Sequence, residues 1–354
     1  MSHAVTPEAL PANLRSLVRI LGADSRPEQK MKAIAKIGDL CGDRNLGNIV
    51  AVAAAGAIPP LVKLIGSGSV CMQMAASSVL TDLAANADNA ATIAAAGAIP
   101  CLVHLLGPDT HPDTQYNAAG ALNHLGRDAG VAATIAAAGA IPRLLHLLSP
   151  EFPADTQSNA VSALHTLTVH RENVVTIAVS GAIPRLVQLL GPGYPAKSQQ
   201  MTAGLLLRLS LIAENAVTIA AAGAIPRLVQ LLESGFPAEV RSNAAGALGC
   251  LSEKNPWNAV AIVVAGTIPL LVPLLGPDFQ AVTQQTAAQA LGCRAFDSQN
   301  VLIIAAAGGI PALLQLLQPG SPTFVSMAAR GALRRIQQAA GASRLQLINL
   351  VGAL

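Results

Sequence analysis

Histidine and cysteine are the residues of this chain best suited to chemistry, and their spacing argues against it. The five cysteines, Cys41, Cys71, Cys101, Cys250 and Cys293, include no C-x-x-C pair, so neither a zinc site nor a disulfide framework is written here. The seven histidines include no H-x-x-x-H, the spacing that sets two imidazoles on one helical face for a metal. His104 and His146 share one register, and His124 and His165 fall on corresponding segments of different copies. No paired carboxylate motif and no phosphate-cradling glycine loop occurs. Enzymes need a nucleophile beside its base, or ligands converging on a metal. With neither present, catalysis, a metal and a cofactor are not expected.

What does recur is a phrase. Gly-Ala-Ile-Pro begins at Gly56, Gly97, Gly139, Gly181 and Gly223, and returns as Gly-Thr-Ile-Pro at Gly266 and Gly-Gly-Ile-Pro at Gly308. These glycines step by 41, 42, 42, 42, 43 and 42 residues. So steady a period marks stacked units, each burying its apolar face against its neighbours.

Residues 87–127 show what one copy builds. Asn89 is placed to cap a first helix, its side-chain oxygen accepting a backbone N–H. Asparagine returns at this register as Asn48, Asn173, Asn215, Asn258 and Asn300, and Val131 breaks the row. The apolar helix that follows ends at Ala96, with Gly97 as the left-handed residue that stops it. Pro100 opens a second helix, where its missing N–H costs nothing. Leu102, Val103, Leu105 and Leu106 make that helix apolar. A third helix is expected over Thr114 to Gly126, with Ala118, Ala119, Leu122 and Leu125 as its buried stripe.

Composition sharpens the reading. Charged residues are only 12% and much of the apolar mass is alanine, which suits closely packed helices. A net charge of +3 with no basic run excludes a general nucleic-acid binder. RNA reading by helical repeats would require stacking aromatics or arginines in nearly every copy, and these are missing. After Asp297 no acidic residue follows, while Arg330, Arg334, Arg335 and Arg344 remain, so the C-terminal end is positive. The apolar run from Ala259 to Gly276 is interrupted by Gly266, Pro269 and Pro273 and is expected to be buried repeat, not a membrane span. The N-terminus carries no signal pattern, and Ser2 excludes myristoylation. Scattered cysteines fit a reducing compartment, cytoplasm or nucleus.

The pattern N-x-x-x-I-x-x-x-G-A-I-P-x-L-V-x-L-L, followed by A-A-G-A-L-x-x-L, resembles the armadillo repeat family from about Leu10 to Gln338. In its Gly-Ala-Ile-Pro phrase the array is similar to plant and algal members. The resemblance implies an all-α, right-handed α-solenoid of about eight three-helix repeats of ~42 residues. Residues 10–338 form the array, and residues 10–44 are a partial N-terminal cap carrying Arg15, Arg19, Lys30, Lys32 and Lys36. Residues 1–9 are expected to be a flexible N-terminus. Residues 339–354 read as a capping helix or the start of a truncated ninth repeat, with Gly352 placed 44 residues after Gly308.

Members of this family line a concave groove with their third helices and hold an extended partner peptide there. The family's nuclear-import receptors carry a tryptophan and, four residues later, an asparagine on the third helix. Here the tryptophan register reads Ser78, Gly120, Ser162, Gly204, Gly246, Gln289 and Gly331. The asparagine register reads Asp82, His124, Thr166, Arg208, Cys250, Cys293 and Arg335. The clamp for a basic peptide is absent, so an importin-type groove is not implied.

Candidate residues for a different groove are Tyr116, Asn117, Asn159 and Asn243 one turn earlier, then Asn123, His124, His165 and Thr166. The asparagines either bond a peptide backbone or brace the neighbouring repeat. Arg208 and Arg335, with Arg330 and Arg334, would favour an acidic partner segment in the C-terminal half. A second row, Phe152, Tyr194, Phe236 and Phe279, lies in the loops between second and third helices. These rings either plug gaps between hairpins or form an edge ridge that docks a partner. The expected function is a monomeric, non-catalytic protein-interaction scaffold without nucleic acid or a direct membrane span. The alternative is the substrate-recruiting region of a larger ubiquitin ligase, or of a membrane-tethering protein.

Overall fold

The computed structural model describes residues 12–42, 45–66 and 69–340. The readings made above for residues 1–9 and 341–354, Arg344 and Gly352 included, lie outside them. The chain divides into two compact units, Met1–Ser180 and Gly181–Leu354, and the division falls inside the fifth repeat. Among the described residues every regular element is helical.

In the first unit, repeat 1 has two helices, Ala12–Gly22 and Pro27–Gly42. They pack against the second and third helices of repeat 2, respectively. Repeat 2 runs Leu46–Ala54, Ile58–Ile65 and Val70–Ala84; repeat 3 runs Ala87–Ala95, Ala98–His104 and Pro112–Leu125; repeat 4 runs Ala129–Ala137, Ala140–His146 and Ala154–Leu167. Arg171–Val179, the first helix of repeat 5, ends the unit. Successive third helices lie side by side, and their alanine–leucine stripes, Ala118, Ala119, Leu122 and Leu125 among them, are buried.

The second unit continues repeat 5 with Ile183–Gln188 and Ala196–Leu209. Repeat 6 is Ala213–Ala221, Ala224–Gln230 and Ala238–Lys254. Repeat 7 is Pro256–Val264, Thr267–Leu271 with the 3₁₀ turn Val272–Leu275, and Ala281–Arg294. Repeat 8 is Ser298–Ala306, Gly309–Gln315 and Thr323–Ala340. The membrane-like run of repeat 7 folds as two helices bent by 81°. Among the described residues no single helix is long and apolar enough to cross a membrane.

Each phrase glycine sits between first and second helix with φ between 72° and 84°. That is left-handed backbone, which L side chains adopt at a cost and glycine adopts freely. At Gly139 no atom crowds the Cβ position, so its requirement comes from the backbone alone.

The first-helix caps differ from the sequence reading. The capping residues are Asn45, Asn86, Asp128, Asn255 and Asp297, three positions before the expected row, and each side chain accepts a backbone N–H. Asn89, Asn173 and Asn258 lie one turn inside and are buried. Their amide nitrogens donate across to the preceding first helix: Asn89 to the Ile49 carbonyl at 3.4 Å, Asn173 to Ala132 at 3.3 Å and Asn258 to Ala216 at 3.3 Å. A cap must hang outside the helix to reach the free N–H groups, whereas the third helical position faces the neighbour. Asn215 donates instead to the Leu209 carbonyl and Asn300 to Asp297, so three copies of the row tie first helices together, and Val131 has no amide to make such a tie.

A second architectural row was not recognised in the sequence. Gln115, Gln157, Gln199, Arg241 and Gln284 sit in the first turn of successive third helices. Each side chain donates to a carbonyl in the turn just past its own repeat's second helix, at 2.7 to 3.0 Å for the shortest contact. Each bond fastens the start of a third helix to the turn before it, and the Gly107, Ser149 and Gly276 carbonyls accept a backbone N–H as well.

One core position is anomalous. Leu83, Leu125, Leu167, Leu209 and Leu251 occupy one register, and Arg294 follows in it. Arg294 is fully buried. Its Nε donates to Thr267 Oγ1 at 3.0 Å and its Nη1 to the Ala290 carbonyl, while Nη2 has no acceptor among the described residues. Burial pushes this guanidinium down to about 10. Thr267 stands where five of the other phrases have alanine, so the two departures form one contact.

Candidate functional site

The third helices present the face on which the candidate residues fall, and the two units finish it differently. In the first unit Tyr116 is exposed, and Asn117, Asn123, His124, Asn159, His165 and Thr166 are half-buried. Asn117 Nδ2 donates to the Met74 carbonyl at 3.4 Å and Asn159 Nδ2 to the Tyr116 carbonyl at 3.0 Å. Thr166 Oγ1 donates to Asn123 Oδ1 at 2.7 Å. Each bond joins neighbouring third helices, so these amide nitrogens brace the stack.

In the second unit Asn243 Nδ2 makes the same brace, to the Gln200 carbonyl at 2.9 Å. The row then stops, for the next residues in this register are Thr286 and Ala328. There a cleft of about 550 Å³ opens over the third helices of repeats 6, 7 and 8, lined by Gly246, Gly249, Gln289, Gly292, Phe324 and Met327 among others. Gly292 lets two helices approach closely: a Cβ there would lie 3.0 Å from Ala332 Cα.

Glu253, Cys293 and Arg335 meet at one end of the cleft. The Cys293 thiol donates to Glu253 Oε1 at 3.1 Å, and Arg335 reaches Cys293 Sγ at 3.4 Å and Glu253 Oε1 at 3.8 Å. Burial first, and then the Glu253 carboxylate, pushes the Cys293 thiol up to about 12. It stays protonated at neutral pH, a poor state for a nucleophile. Arg208 is exposed. All five cysteines are free, and among the described residues no group of three or more metal-binding side chains forms.

The loop aromatics Phe152, Tyr194, Phe236 and Phe279 are all half-buried. Phe152 meets the His146 ring edge-on at 5.2 Å, and the Arg241 guanidinium lies 5.0 Å over the Phe279 ring. These two rings are held by the array itself. The row is therefore neither a set of buried plugs nor a freely exposed ridge.

Three stretches, residues 86–127, 128–169 and 213–252, match the family model of the armadillo/beta-catenin-like repeat. They coincide with repeats 3, 4 and 6 as built from the helices. The chain is an armadillo repeat protein. Solved structures similar to this armadillo array include an engineered protein with TM-score 0.76 and 28% identity, covering 92% of this chain and 78% of its own. A designed armadillo repeat protein follows with TM-score 0.61 and 26% identity, over 67% of this chain and 99% of its own. A further match, computationally designed armadillo repeat proteins for modular peptide recognition, has TM-score 0.59 and 25% identity over 67% and 99%. No curated protein matches the chain.

The sequence reading brought Arg335 to the armadillo third-helix face but missed Glu253 and Cys293 as its neighbours. Cys293 was legible by register, one repeat before Arg335. Glu253 lies almost one turn beyond that register, and only folding shows that it reaches back.

Proposed function

We propose that this chain is a non-catalytic scaffold that binds a segment of a partner protein along its third-helix faces. One observation carries the reading. The glycine stops, inter-repeat asparagines and leucine rows recur nearly unchanged, whereas the third-helix positions of exposed Tyr116, Arg208 and Arg335 and half-buried His165 differ from copy to copy. Duplication preserves what the architecture needs, so variation gathers on the face left free to bind. The similarity to designed armadillo proteins for peptide recognition supports the same surface.

The arginines of the second unit favour an acidic partner segment there. A monomer in the cytoplasm or nucleus is the setting proposed, resting on the five free cysteines. Panning a displayed peptide library on the full chain, then mapping hydrogen exchange with a selected peptide, tests the proposal. Protection at the third helices is expected. Failure to enrich any peptide, or protection confined to first helices, would overturn it.

A further inference from the structure

We infer that the cleft over repeats 6, 7 and 8 is an anchor subsite for one bulky apolar side chain carried next to a carboxylate in the partner segment. This deepens the scaffold reading and rests on it. Space is the first argument. The cleft holds about 550 Å³, within the roughly 300–1,000 Å³ typical of ligand pockets, and its floor is glycine and alanine. Where the first unit carries Asn123 and His165, the same register here carries Gly249 and Gly292. Where bracing asparagines would cross the groove, Thr286 and Ala328 leave it open. The cleft is thus made by small residues replacing large polar ones at successive repeats.

The rim supplies the second argument. Phe324 is 43% exposed and Met327 67% exposed, an aromatic and an adaptable thioether with free apolar surface on one edge. An apolar side chain entering between them would cover surface that water now wets.

Charge fixes the rest of the occupant. Glu253 is the one carboxylate lining the cleft, against Arg335. Arg330 and Arg334 are exposed, each one residue from a lining position, and Arg208 is exposed next to the lining residue Leu207. Lys254 follows Glu253 and is exposed as well. The Glu253–Arg335 pair is 3.8 Å apart with both side chains about half exposed, and such pairs are weak. An incoming carboxylate can therefore take Arg335 from Glu253 while its apolar neighbour fills the cleft. A basic segment would meet four arginines and one lysine against a single acid.

Gly331 provides the test, because it lines the cleft, lies inside a helix and has no atom within 4 Å of its Cβ position. Gly331→Leu should fill the cleft without harming the fold, and Gly331→Ala is the graded control. Fluorescence polarisation on the full chain would use eight-residue peptides with central Leu, Phe or Trp and Asp/Glu flanks. Matched sets would carry Lys/Arg flanks, or a central Gly. The acidic apolar set should bind best. Gly331→Leu should weaken it at least tenfold with an undiminished thermal melt, and Arg335→Gln should weaken it and flatten its salt dependence.

Equal binding of basic or glycine-centred peptides would overturn the inference, as would indifference to Gly331→Leu. If peptides bind but respond only to Tyr116→Ala, the anchor fails while the scaffold reading stands. If none of these peptides binds, and library panning enriches nothing, both fail.

Discussion

The third-helix face of the first unit is laced shut, and that of the second is left open. Asn117, Asn159 and the Thr166–Asn123 bond tie the third helices of repeats 3 and 4 each to the one before it. In the second unit the lacing ends with Asn243, and glycine with alanine takes over. The same backbone plan therefore yields a polar, braced surface in one half and an apolar cleft with an arginine rim in the other. Side chains at a few registers decide the difference, because helix positions are set by rows that both units share.

The core repeats the contrast. Both units bury leucine in the row that reaches Arg294, as far as Leu251, and the second unit alone breaks it. An isolated buried charge is costly, and replacing it by a well-packed apolar residue is often stabilising. Arg294→Leu should raise stability in urea by about 1–4 kcal/mol. Thr267 keeps its own bond to the Ile262 carbonyl at 3.0 Å, so nothing is orphaned. Since the folded-state value of about 10 lies below the ordinary arginine range, the penalty is fully present at neutral pH. It is relieved only as pH rises through 10. No gain in the mutant's urea midpoint would show that the position is not a weak point.

Next in size is Gly139→Val in the first unit. Forcing a β-branched residue to φ 83° should cost about 1–3 kcal/mol. The lone tryptophan, Trp257, belongs to the second unit. Circular dichroism should therefore shift more than tryptophan fluorescence if the units melt as neighbouring parts of a repeat array. Coincident shifts in both probes would erase the distinction between the halves.

Asn159→Ala should cost about 1 kcal/mol, the worth of one hydrogen bond. Thr286→Ala, in the same register of the open face, should stay within about 0.5 kcal/mol, since its hydroxyl bonds only its own helix at Val282. Equal costs in paired denaturation curves would remove the lacing as a difference. The smallest effect is expected from Val131→Asn, which restores the missing first-helix tie beside an alanine-lined cleft of about 670 Å³. A gain of at most about 1 kcal/mol and slower exchange at the first helix of repeat 4 should follow.

Much of the fold was legible because a period is visible without any structure. Glycine before Ile-Pro specifies a left-handed stop wherever it is written. The cap assignment failed by one helical turn because Asn86-x-x-Asn89 and Asn255-x-x-Asn258 offer two asparagines. Only the neighbouring repeat tells the outer cap from the inner tie. The glutamine row escaped notice for a similar reason: its partners are carbonyls, which carry no letter. The groove residues were placed on a common face by register, yet whether Asn117 faces a ligand or a neighbour depends on how closely the helices stack.

The sequence by itself determined the repeat, its three helices, the family and the loss of the import-receptor clamp, since these are local patterns multiplied by a period. Tertiary packing alone decided that the asparagines brace, that Arg294 lies buried, and that Glu253, Cys293 and Arg335 converge beside a cleft. Those outcomes depend on distances between side chains about 40 residues apart, which periodicity aligns in register but cannot measure.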